Sequence, residues 1–307
     1  MNPARAIGLK LLSVVFFVGM AALIKASADH VPPGEAVFFR SFFAIPVIVV
    51  WLAWRRELSV GLRTSYPVGH LWRGLVGGSA MGLGFAGLGL LPLPEVTALG
   101  YAAPLLVVIF ASMFLGEQVR LFRLTAVGLG LIGVLIVLSP RLSAFGSDEM
   151  DAREALGAVV VLGGAACAAL AQVFVRKLVR TERTATIVFW FSVTASVLSL
   201  VTLPFGWVVP GAGEGAMLVL AGVLGGLGQI CLTSAYRHAE AAVVAPFDYA
   251  SMLLALIVGY VVFDEVPTAP MLAGASLVIA AGVIIIWRER QLGLERGRAR
   301  RGMTPQG

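Results

Sequence analysis

The sequence predicts an all-α integral membrane protein: ten transmembrane helices arranged as two inverted five-helix repeats. Three observations predict it. Of 307 residues, 59% are hydrophobic and only 13% are charged. A soluble domain averages roughly 45–50% and about 25%, so an ordinary water-soluble enzyme, a disordered chain and a coiled coil are all excluded. Uncharged stretches of about 20 residues, the length that crosses a bilayer, recur along the chain. The basic residues fall almost entirely on alternate connections between those stretches.

Taken in order, the first span covers 6–27. Lys25 at its end, the lack of an Ala-x-Ala site after it and nine further spans mark it as a mature helix rather than a signal peptide. The second, 34–54, carries Phe38, Phe39, Arg40, Phe42 and Phe43. The third, 71–91, holds Gly74, Gly78 and Gly82, overlapping small-xxx-small pairs that let membrane helices approach closely. The fourth, 94–115, carries Tyr101 and Pro104, and the fifth, 122–139, ends in Gly-Val-Leu-Ile at 133–136. The sixth is 155–175, with Gln172, and the seventh is 184–205, with Phe189, Trp190 and Phe191. The eighth, 215–236, repeats the close-approach glycines at Gly222 and Gly226 and adds Gln229. The ninth, 241–263, carries Pro246, Asp248 and Tyr249, and the tenth, 267–287, ends in Gly-Val-Ile-Ile at 282–285. Runs such as 134–138 do not alternate polar with apolar, so a transmembrane β-barrel is excluded.

Orientation follows from Lys and Arg. With ten spans, nineteen of the 23 belong to one side: Arg5 and Lys10, Arg55 to Arg73, Arg120 and Arg123, Arg176 to Arg183, Arg237 and the six from Arg288 onward. The other side keeps Arg141 and Arg153, among Asp148, Glu149, Asp151 and Glu154. Both termini are therefore expected in the cytoplasm of a multi-pass inner-membrane protein. The net charge of +6 needs no nucleic acid: the basic tail anchors the tenth helix and touches anionic lipid.

The halves echo each other. Leu-Gly-Glu at 115–117 closes the fourth helix as Phe-Asp-Glu at 263–265 closes the ninth, and Glu95 opens the one as Glu240 opens the other. Two similar halves of five helices, an odd number, must sit upside down relative to each other, which is a secondary-transporter architecture. The expected organisation is a first repeat over 1–140, an external connection over 141–154 with Gly146 and Ser147, a second repeat over 155–287 and a basic tail over 288–307.

Glu-x-x-Phe-Phe-Arg at 35–40, Leu-Pro-Leu-Pro-Glu-Val-Thr-Ala-Leu at 91–99 and the two acidic corners carry a family likeness. On these residues the chain resembles the drug/metabolite transporter superfamily, in its ten-helix form with two EamA-type units. The resemblance implies export of amino acids, including aromatic ones, or related metabolites. The alternative it implies is uptake of S-adenosylmethionine, riboflavin or a similar cofactor.

Proline-interrupted helices at matching positions of two repeats point to a transport site. Pro104 and Pro246 each free a carbonyl, and Tyr101 and Tyr249 lie three residues from them, on the same helix face. Asp248 lies eight residues beyond Glu240, about 12 Å from the cytoplasmic end. In an apolar cavity it would serve as a proton carrier or hold a substrate ammonium; the alternative is a structural charge partner on another helix. Arg40 lies about 9 Å from the external end, either snorkelling toward Glu35 or Asp29 or forking a substrate carboxylate. The axial gap between the two is then about 9 Å, within reach of a zwitterionic amino acid. Trp190 and Gln229 complete the candidate substrate residues, whereas Lys25 is expected to snorkel.

No catalytic, metal or cofactor constellation emerges. His30, His70 and His238 are scattered, Cys167 and Cys231 lie in apolar runs, and no phosphate-binding glycine loop is present. The expected partners are a small-molecule substrate and the lipid bilayer, with the chain a monomer or a homodimer. A channel or a membrane enzyme would need a continuous polar file or clustered carboxylates.

Overall fold

The computed structural model describes residues 3–115, 121–143, 149–178, 181–238 and 245–302. Glu117, Arg120, Arg180, Glu240 and the Gly146–Ser147 joint lie outside them. Among the described residues the protein is helical, without a strand. Span 1 is Pro3–Ser27, and span 2 is Pro33–Phe42 followed by Ala44–Trp54. Span 3 is Pro67–Leu88, span 4 is Leu93–Gly100 followed by Ala102–Leu115, and span 5 is Leu121–Ser143. Span 6 is Glu149–Leu178, and span 7 is Thr184–Ser199 continued by the 3-10 helix Leu200–Phe205. Span 8 is Ala212–His238, and span 9 is the 3-10 turn Ala245–Tyr249 followed by Ala250–Phe263. Span 10 is Ala269–Gly302, so the basic tail continues the last helix. The connection expected over 141–154 is largely taken up by the ends of spans 5 and 6.

Large apolar side chains such as Val50, Trp54, Phe114 and Val261 remain exposed on the outside. On a water-soluble protein that surface would aggregate; against lipid it is solvated.

Prolines set the breaks. A proline cannot donate to the carbonyl four residues back, and its ring crowds that carbonyl. Span 4 breaks at Tyr101, just past Gly100, whose carbonyl Pro104 leaves free. Span 2 breaks at Phe43, just past Phe42, which Pro46 leaves free in the same way. Span 7 passes into 3-10 geometry at Leu200, four residues before Pro204. Pro246 sits in the 3-10 turn that opens span 9. The signal read at Pro104 and Pro246 thus recurs, paired across the halves, at Pro46 and Pro204.

The packing exchanges the halves. Span 1 lies along span 8 as span 3 lies along span 6, span 3 packs on span 7 as span 8 packs on span 2, and span 5 lies along span 10. Glycine permits these approaches. A Cβ on Gly226 would stand 3.0 Å from the Val47 Cβ and 3.3 Å from the Ala44 Cα of span 2, and one on Gly74 would overlap Thr194 of span 7.

Two carboxylates tie connections in the same exchanged pattern. Glu35, at the start of span 2, accepts the Val208 N–H at 3.0 Å ahead of span 8. Glu182, just before span 7, accepts the Thr64 hydroxyl at 2.7 Å and the N–H groups of Ser65 at 2.7 Å and Tyr66 at 3.0 Å ahead of span 3. Burial opposes ionisation of Glu182, but Thr64, the two N–H donors and nearby His70 outweigh it and hold its carboxyl below the ordinary carboxylate range. A depressed carboxyl stabilises the fold above its unfolded value, about 4.3, and loses that contribution as pH falls through the folded value. Thermal unfolding in detergent should therefore show acid destabilisation below about pH 4.3, and Glu182→Gln should flatten that limb while lowering stability at neutral pH. An acid limb of the same depth in the variant would remove Glu182 as its cause.

Candidate functional site

Among the described residues, three places in the helix bundle bring charged side chains of different spans together. The first is formed by spans 2, 3 and 7. Arg40 is 4% exposed on span 2, and its Nε and Nη1 have no hydrogen-bond partner. Among the described residues Arg40 pairs with neither Glu35, which accepts the Val208 N–H, nor Asp29, and it is buried, so the snorkelling alternative is not what the fold adopts. The guanidinium instead stands 5.8 Å from the ring centroid of Phe191 on span 7. A second guanidinium, that of Arg73 on span 3, lies on the same ring at 3.9 Å, and its Nε and Nη1 are also buried without a partner. Glycines make the room. A Cβ on Gly225 of span 8 would stand 3.1 Å from Arg40 Nε, and one on Gly77 would stand 2.8 Å from Phe191 and overlap the Arg73 guanidinium.

The sequence reading placed Arg73 among the loop charges, and the fold corrects this. Arg73 is within span 3, one turn before Gly77 and so on its face. That face packs against protein, so a charge there points inward. Lys10 needs the same correction: it is 3% exposed inside span 1. Without these two, seventeen of the nineteen basic residues remain in the sequence-based assignment to one side.

Lys10 belongs to the second place, where its Nζ pairs with Asp248 Oδ1 across spans 1 and 9. Asp248 is 49% exposed and faces an ammonium, so it is not the lone carboxyl in an apolar cavity that its sequence neighbours suggested. Beside it, the broken segments of spans 4 and 9 meet. The Tyr101 and Ser251 hydroxyls share a hydrogen bond of 2.6 Å, Ser251 donates to the Asp248 carbonyl at 2.7 Å, and the Tyr101 and Tyr249 rings pack edge to face at 5.2 Å. Tyr101 and Tyr249 are thus brought together. Pro104 is exposed whereas Tyr101 is buried, because the helix break between them spoils the three-residue register.

The third place joins the far end of span 1 to that of span 9. Lys25 Nζ pairs with Glu265 Oε1 at 2.9 Å and donates to the carbonyls of Leu88 at 3.1 Å and Leu91 at 2.9 Å. Glu265 Oε2 accepts the Leu93 N–H at 2.8 Å. Lys25 therefore clamps spans 1, 3, 4 and 9 instead of snorkelling. A cleft of about 350 Å³ borders this clamp, lined by Lys25, Asp29, Leu88 and Phe263, and one of about 260 Å³ adjoins it at Val31 and Phe85. Neither is lined by Arg40, Arg73, Lys10 or Asp248, so chemistry rather than hollowness marks the interior site.

Two remaining candidates part company. Gln229 is half-buried on span 8, one turn after Gly225 and on the face that meets Arg40. Trp190 is occupied elsewhere, donating its indole N–H to the Leu62 carbonyl at 3.1 Å in the connection after span 2.

Comparison with known proteins agrees with this architecture. The model of the EamA-like transporter family matches twice, over residues 4–139 and 155–287. The pseudopaline exporter of Pseudomonas aeruginosa is 31% identical over 90% of this chain and 94% of its own length. An S-adenosylmethionine uptake transporter of Rickettsia bellii is 27% identical, covering 93% and 94%, and a riboflavin transporter of Rhizobium johnstonii is 29% identical, covering 84% and 82%. A solved crystal structure superposes with a TM-score of 0.66 at 21% identity, covering 95% of this chain and 99% of the other, a likeness of fold.

Proposed function

The chain belongs to the EamA-like transporter family, and from that premise we propose that it is a secondary active transporter exporting amino acids and related metabolites by alternating access. One observation carries the substrate reading: a guanidinium, Arg40, held in the bundle interior with nitrogens that no protein acceptor satisfies. Such a group is costly to keep unless an anion arrives to pair with it, and a carboxylate fits its fork.

Asp248 supplies the complementary charge. It pairs with Lys10, and a cargo ammonium would compete with Lys10 for the carboxylate. The breaks in spans 2, 4, 7 and 9 supply hinges for the repeats, read as 1–140 and 155–287. The Lys25–Glu265 clamp seals the external end while the cytoplasmic end opens. Both termini are assigned to the cytoplasm of the inner membrane on the basic asymmetry.

A relative named for S-adenosylmethionine uptake and one named for riboflavin transport support transport of a cofactor, by uptake, as a second reading. The guanidinium favours the first of these, since S-adenosylmethionine carries a carboxylate and riboflavin carries none. The test is counterflow in proteoliposomes over a panel of amino acids and cofactors. A carrier gives saturable exchange accelerated by cargo on the far side, and a carboxylate-bearing compound should lead the panel. Flux that neither saturates nor responds to cargo on the far side would sink the reading in favour of a channel.

A further inference from the structure

We propose that Arg73 and Arg40 form one anion site and that the cargo presents two carboxylates to it. The inference rests on the carrier reading above and sharpens its substrate class from a monocarboxylate to a dicarboxylate, such as an amino compound with an additional acid group.

The two guanidiniums come from different spans onto a single ring, at 5.8 Å for Arg40 and 3.9 Å for Arg73. Both offer buried Nε and Nη1 atoms that lack acceptors, and among the described residues neither forms an ion pair with a carboxylate. Contact with the ring face offsets part of the cost of each cation but none of their mutual repulsion. A single carboxylate brings one negative charge against two positive ones, so the site would keep an uncompensated positive charge. Two carboxylates on one short chain would satisfy both, and Phe191, the ring that both guanidiniums share, would contact the carbons joining them.

A packing role for Arg73 accounts for less. A snorkelling side chain turns its whole head group to water, whereas Arg73, half-buried as a residue, keeps Nε and Nη1 buried. Gly77 and Gly225 also leave the space into which the guanidiniums fit, and larger residues there would close it.

The experiment is a binding titration on the purified full chain in nanodiscs, read by ligand-induced thermal shift and by intrinsic fluorescence, with glutarate, butyrate and inorganic phosphate as probes. Glutarate should bind about tenfold or more tightly than butyrate, since each charge-assisted fork contributes at least that factor. Arg73→Gln should abolish the preference, leaving glutarate as weak as butyrate. Arg73→Lys, which keeps the charge, should restore part of the preference if the glutamine variant folds poorly. Equal binding of glutarate and butyrate by the native chain overturns the inference, as does tighter binding of phosphate or a preference that survives Arg73→Gln. Counterflow of monocarboxylate amino acids alongside such a result would leave the carrier reading standing, whereas absence of counterflow for every compound would overturn that reading itself.

Discussion

An Asp248→Asn chain should lose at least tenfold in counterflow, together with part of its thermal stability. The carboxylate it removes faces Lys10, whose side chain is 3% exposed and tied to span 1. Deleting one partner of a fully buried pair costs about 3–5 kcal/mol, because the other charge stays behind in a poor solvent. Asp248 is 49% exposed, so water screens its end and the loss is smaller, about 1–3 kcal/mol. The double variant Lys10→Met with Asp248→Asn separates structure from transport. Removing both charges should return the stability, since an apolar pair is no worse than an ion pair in such surroundings. Transport should not return, because the cargo ammonium then finds no carboxylate. Recovery of stability and counterflow together would make the pair a structural tie and leave ammonium recognition to other residues.

That prediction marks the limit of what the sequence makes legible. Span positions are local properties: twenty apolar residues in a row have one stable arrangement in a bilayer, whatever packs beside them. The glycines at 74, 222 and 226 are equally local, because a small residue on a membrane helix announces a close neighbour before that neighbour is known. The partner of Asp248 is not local. Lys10 lies 238 positions earlier, and nothing in the spacing of span 9 encodes contact with span 1. Lys25 and Glu265 are alike in this, reading as two interfacial charges until the ends of spans 1 and 9 meet.

The place of Arg73 escapes the sequence for a different reason. It lies close to the start of its helix, where a basic residue ordinarily marks a membrane boundary, and counting it as a loop charge satisfied the topology rule. A finer signal was present, since Arg73 and Gly77 are four apart and share the small-residue face that packs against protein. Pro46 and Pro204 carried the same break signal as Pro104 and Pro246, in the spans related by the repeat. Trp190 shows the reverse case: an aromatic inside a span is a candidate substrate contact, and its indole N–H serves a loop carbonyl. A buried donor is satisfied by whichever acceptor the fold brings near, and sequence does not name it.

Gly274→Val should be the most damaging single substitution to assembly, for it lies where the two halves cross. Spans 5 and 10 meet there backbone to backbone. A Cβ on Gly133 would stand 2.7 Å from the Gly274 carbonyl oxygen and 3.0 Å from the Val278 nitrogen, and one on Gly274 would stand 2.8 Å from the Val137 nitrogen and overlap the Gly133 carbonyl. Backbone atoms cannot rotate aside, so the helices must part. In lipid no hydrophobic force draws them back, because acyl chains solvate apolar side chains as well as a neighbouring helix does. Overpacking of this kind costs about 1–3 kcal/mol where the surroundings yield, and more where they are main chain. Gly128→Ala on the same span 5 is the control: its added methyl meets nothing within 4 Å, and alanine is the better helix former by about 1 kcal/mol. Size-exclusion profiles and thermal midpoints in detergent should therefore move in opposite directions, Gly274→Val toward aggregation and Gly128→Ala toward equal or higher stability. A monodisperse Gly274→Val chain that unfolds at the same temperature as Gly128→Ala would mean that spans 5 and 10 do not cross at these glycines.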